Sequence, residues 1–112
     1  MVGEMHGSGL TMAMLAREIE VTQMQLTRHA VDKLATYEIE GDRLRSWREA
    51  LQSGDPFLDL SSGTSGQVFW WEQRPWVVIF SQDGSKVVTT YPTDARTVTN
   101  RRRGGRWIFP NT

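Results

Sequence analysis

Residues 67–91 read QVFWWEQRPWVVIFSQDGSKVVTTY. Two β-branched and aromatic runs, Gln67–Glu72 and Trp76–Ser81, flank Gln73-Arg74-Pro75, a turn by composition. Asp83-Gly84 is a hairpin signal, because glycine accepts the positive φ that a tight turn needs. Lys86–Tyr91 is then the returning strand. Three consecutive antiparallel strands are therefore expected in this stretch.

Working upstream, Phe57–Leu60 is a short alternating strand, and Gly63–Gly66 reads as a flexible loop. Before them the periodicity becomes helical. Leu44, Trp47 and Leu51 form the buried stripe of a helix that starts at Gly41-Asp42 and closes on Gly54. Thr27 is an N-cap candidate, since its hydroxyl can accept from an amide of the next turn. The helix it opens is expected over Arg28–Tyr37. Ala30, Leu34 and Tyr37 lie on one stripe, with His29 and Lys33 at i, i+4 on an adjoining face. Val21–Leu26 reads as an extended approach, and Thr11–Glu20 as a short helix carrying Leu15 and Ile19. Downstream of Pro92 an irregular Arg-bearing loop leads to a last strand, Arg106–Phe109. The expected class is α+β, with N-terminal helices packed on a C-terminal antiparallel β-sheet.

A chain of 112 residues fits one core. Residues 1–9, rich in glycine, read as a flexible tail, and 10–112 as a single α+β domain. The absence of Cys excludes disulfides and thiolate chemistry, and His6 and His29 are too few for a histidine metal cage. No metal and no cofactor is expected. The formal net charge of zero argues against a strongly basic nucleic-acid coat. Eleven of the thirteen basic residues are Arg, whose planar fork suits phosphate or carboxylate; a GC-rich genome gives the same bias. The apolar run Leu10–Ala16 is too short to span a bilayer and lacks the basic flank of a signal peptide. A cytoplasmic site of action without membrane contact is expected, and delivery by a dedicated secretion system is compatible with it.

Two short motifs carry chemistry. Thr27-Arg28-His29-Ala30 opens a helix, and Thr89-Thr90-Tyr91-Pro92 ends a strand. Alternation puts Thr89 and Tyr91 on one strand face, roughly 6–7 Å apart. A histidine packed against that face would be a general base near neutral pH.

In order and separation these motifs resemble the compact ribonuclease fold of RelE- and BrnT-like toxins, colicin-type nucleases and EndoU-like enzymes. The likeness is greatest to the ribonuclease-A-like toxin domains of contact-dependent inhibition systems, and it covers about Leu26 to Thr93. It implies that His29 is the acid/base histidine and that Thr89 and Tyr91 are the strand pair. The basic partner stays open among Lys33, Arg43 and Arg45, with Arg45 the catalytic choice and Lys33 and Arg43 on RNA. A second histidine is missing from the pattern, so Tyr91 would donate the proton. Arg101, Arg102, Arg103 and Arg106 lie beyond the likeness and would hold flanking phosphates.

The reaction so implied is metal-independent transesterification of RNA through its 2′-OH, by a toxin guarded by an antitoxin or immunity protein. A reading from another class is a non-catalytic interaction module that binds a protein through its Trp-rich sheet and Arg loop. Each motif also has an ordinary structural use. Thr and Tyr are common strand residues, a histidine near an N-cap is commonly structural, and the Trp cluster reads as core.

Overall fold

In the computed structural model, which describes residues 24–110, Thr27 does what its place in the sequence predicts. Its Oγ1 accepts from the Ala30 amide at 3.2 Å and starts α1, Arg28–Thr36. The same hydroxyl donates to the Val88 carbonyl at 3.0 Å, tying the helix start to the sheet. Ala30 and Leu34 are the buried stripe of α1. Glu38, with φ of 59°, breaks the helix, and Ile39 drops into the core behind it. α2, Gly41–Gln52, begins without a side-chain cap and buries Trp47 and Leu51.

The strands are β1 (Gln25–Leu26), β2 (Asp55–Asp59), β3 (Thr64–Trp71), β4 (Arg74–Phe80), β5 (Lys86–Pro92) and β6 (Trp107–Ile108). A third helix, α3 (Ala95–Arg103), lies between β5 and β6. The sheet order is β1-β5-β4-β3-β2-β6. It is a mixed sheet, because β1 pairs with β5 in parallel while the other pairings are antiparallel.

The class is thus α+β, but the layering differs from helices before sheet. α1 and α2 cover one face, where Trp47 meets Phe69 and Trp76 edge-on at 5.3 and 6.3 Å. The other face carries Phe57, Val68, Val77, Trp107 and Phe109, with Val98 of α3 packed against them. Phe57 stacks on Trp107 at 4.3 Å.

Three local expectations need correction. Gly63–Gly66 is not all loop: β3 starts at Thr64, and Gly66 pairs with both Phe57 and Ile79. A Cβ at Gly66 would sit 2.3 Å from the Val78 carbonyl oxygen, so glycine is needed here for close strand approach rather than for a turn. The β3–β4 turn is Glu72-Gln73, both at positive φ, and Arg74 already belongs to β4. The Arg-bearing stretch after Pro92 is helical because Asp94 caps it, accepting from the Thr97 amide at 2.7 Å. The short helix expected over Thr11–Glu20 and the tail 1–9 lie outside the described residues.

Candidate functional site

Between β4 and β5 the register shifts: Ile79 faces Thr89, while Phe80 faces Val87. This bulge gives β5 one extra residue and reverses its alternation. Val87 therefore joins the core under α1 and α2, whereas Tyr91, also odd-numbered, packs on the opposite face with Ile79 and Val98. Thr89 and Tyr91, paired to Ile79 and Val77, share that second face.

The expected site is consequently divided by the sheet. His29, Lys33, Arg43 and Arg45 belong to α1 and α2, on the first layer. His29 and Lys33 are exposed there, and among the described residues no hydrogen bond or ion pair joins His29 to Thr89 or Tyr91. Arg43 is a structural staple. It donates to the Tyr37 and Glu38 carbonyls at 3.0 and 3.1 Å, pairs with Glu72 and lies over the Trp71 ring at 4.9 Å. Those bonds satisfy the carbonyls that end α1 and leave the fork engaged within the fold. Arg45 faces solvent, 3.7 Å from Asp42, an exposed pair of little energetic weight.

The second face gathers the other half. Thr97, Asn100 and Arg101, at i, i+3 and i+4 on α3, line an open cleft of about 280 Å³ together with Arg106. Burial pushes the Tyr91 phenol up from its ordinary pKa, and the charges of Arg101 and Arg106, near enough to act on it, offset part of that rise. The phenol is therefore a neutral donor at physiological pH. Arg101 lies over the Trp107 ring at 5.1 Å and Arg102 over Phe109 at 4.4 Å, while Arg103 is exposed.

Behind the cleft stands Asp59, 5 % exposed. Its Oδ1 accepts from the Ser61 amide and hydroxyl at 2.9 and 2.7 Å and from Arg106 Nε at 3.4 Å; its Oδ2 accepts from Trp107 Nε1 at 3.1 Å. Burial would raise this carboxyl, but the donors from Ser61, Trp107 and Arg106 outweigh it and hold the group well below the usual carboxylate range.

Sequence reasoning missed Asp59, Thr97 and Asn100. The last two were findable, since Asp94 before Arg96-Thr97 is a helix-start signal. Asp59 looked like an ordinary strand residue, and only the return of Trp107 beside it gives it a role.

Of the five Trp, Trp47, Trp71, Trp76 and Trp107 are buried and Trp70 is 61 % exposed. The sheet thus offers one exposed indole, not a Trp-rich face. Among the described residues no three of His, Cys, Asp and Glu stand together as metal ligands, and no helix is long and apolar enough to cross a membrane. No family model, no curated protein and no solved structure matches the chain.

Proposed function

We propose that the cleft beside Tyr91 binds single-stranded RNA and cleaves it by attack of the ribose 2′-OH on the adjacent phosphorus, the activity of a toxin-type endoribonuclease. The observation that carries this reading is that Arg101 and Arg106 line one cleft on the face to which Tyr91 packs, near enough for their charges to act on its neutral phenol. Two guanidinium groups suit a phosphodiester whose oxygens gain charge in the transition state. Tyr91 protonates the departing 5′ oxygen, and Thr89 lies beside it on the strand as a second hydroxyl. The nucleophile belongs to the substrate, so positioning and charge stabilisation are the main tasks of the protein. This mechanism does not use His29, Lys33, Arg43 or Arg45, which belong to the other layer. Arg102 and Arg103 serve flanking phosphates at most. A protein inhibitor of such an enzyme would place acidic groups over Arg101 and Arg106.

The test is cleavage of a labelled RNA oligonucleotide by four proteins. Tyr91→Phe should lower kcat by at least tenfold with KM nearly unchanged, because its proton is used in the transition state. Arg106→Gln should weaken binding as well, whereas His29→Ala should retain activity. Loss of activity in His29→Ala with full activity in Tyr91→Phe would return the chemistry to the helical layer.

A non-catalytic interaction module is the second reading. It is favoured by an exposed apolar strip, in which Leu58 and Ile108 are cross-strand neighbours with Leu60 beside them. Retained RNA and stable capture of a protein through that strip would support it.

A further inference from the structure

We propose that Asp59 is a positioning residue which, through one carboxylate, sets both guanidinium groups of the cleft. This rests on the RNA reading above.

The geometry runs in two branches from the same buried group. In the first, Asp59 Oδ1 holds Arg106 by its Nε, at 3.4 Å. A contact through Nε fixes the plane of the guanidinium and leaves the paired terminal nitrogens for a second acceptor, as a phosphate requires. In the second, Oδ2 fixes the Trp107 indole, which is 1 % exposed and also stacked on Phe57. Arg101 rests on that indole ring, so its height above the cleft floor follows from where Asp59 holds Trp107. Ser61 supplies two further donors and keeps the carboxylate from turning.

Four donors converge on Asp59: the Ser61 amide and hydroxyl, the Trp107 indole and the Arg106 guanidinium. A carboxylate can accept all of them, whereas a carboxamide must turn its NH₂ towards one set of donors. Asp59→Asn therefore releases Arg106 or Trp107 with almost no change of shape. Nearest in kind would be a carboxylate that orients a catalytic histidine, with arginine and tryptophan here in the histidine's place.

The experiment measures affinity for a single-stranded uridine decamer as a function of salt. For single strands each phosphate contact contributes about 0.7 to the slope of log K against log salt. Asp59→Asn should flatten the slope by about 0.7, one contact, half the loss expected of an Arg101→Gln/Arg106→Gln double variant. Adding Asp59→Asn to that double variant should flatten it no further. Val68→Ala is the control, because it weakens the same apolar layer without touching the carboxylate. It should lower Tm and keep the unmutated slope. A folded Asp59→Asn protein with an unmutated slope overturns the positioning role, as does an equal flattening in Val68→Ala. Failure of the unmutated protein to bind the decamer overturns both this inference and the RNA reading.

Should Asp59→Asn unfold, the unmutated protein supplies a second measurement. The Arg106 Nε–H resonance should exchange with water at least tenfold more slowly than that of exposed Arg45. Inorganic phosphate should shift the Arg106 and Arg101 resonances together. Exchange at the Arg45 rate, or a phosphate shift confined to one of the two, overturns the proposal.

Discussion

In the proposed reaction Tyr91 depends on being half-buried near two arginines: burial keeps its proton on, and the arginines would hold a substrate against it. Among the described residues the cleft contributes no imidazole, so in the proposed reaction the proton of the 2′-OH has no resident acceptor of neutral pKa and leaves to solvent. The rate should accordingly rise by about tenfold per pH unit from pH 6 to 9, with no inflection near the ordinary histidine pKa of about 6.5. Because burial raises the Tyr91 pKa, the acid form persists through this range, and the rise in rate levels off only above the ordinary phenol value. A kcat/KM profile on an RNA dinucleotide measures this. A bell centred near pH 6–7 would require a histidine and contradict the assignment.

At the scale of the element, Thr27 has the clearest single contribution. It caps α1 and also bonds β5 across a sequence separation of 61 residues. Thr27→Ala should cost about 1–2 kcal/mol in urea unfolding, and Thr27→Ser a few tenths. Equal stability of the Ala variant would mean that neither bond survives in solution. This cap, the Trp47–Leu51 stripe and the Asp83-Gly84 hairpin were legible because each depends on neighbours within a few residues. The β5 bulge was not, because it is a property of pairing with β4 and leaves no mark on Lys86–Tyr91 itself. That one residue decides the face to which Tyr91 points, and hence which arginines it meets. Arg43 looked like a phosphate ligand for a related reason. Its partners, the Tyr37 and Glu38 carbonyls and Glu72, come together only once the chain has folded. β1 was anticipated only as an extended approach, since two residues pairing in parallel carry no periodicity of their own.

Across the whole molecule, the two apolar layers share one sheet, and Asp59 is the charge buried in the second of them. Its carboxyl titrates lower in the folded chain than in the unfolded one, as do those of Asp83 and Asp94, each bound by its own turn or cap. The sign follows from linkage: groups depressed on folding add stability that is fully present above the unfolded carboxylate range and is lost as pH falls. Tm should be level from about pH 7 to 5 and then decline steadily towards pH 2. In Asp59→Asn the decline should be shallower, from a lower plateau. Circular dichroism melts at half-unit steps test this, and a Tm rising between pH 5 and 3 would contradict it.

The central claim is that the Tyr91–Arg101–Arg106 face cuts RNA with the substrate's own 2′-OH. Its most direct test is the chemistry of the product ends, read by mass spectrometry after digestion in excess EDTA. The substrate is one RNA oligonucleotide with and without a single 2′-deoxy residue on the 5′ side of the cut. The account predicts a 2′,3′-cyclic phosphate on the upstream fragment and no cleavage at the deoxy position, although that oligonucleotide still binds. A 3′-hydroxyl with a 5′-phosphate, or cleavage that ignores the missing hydroxyl, would contradict it, because water would then be the nucleophile.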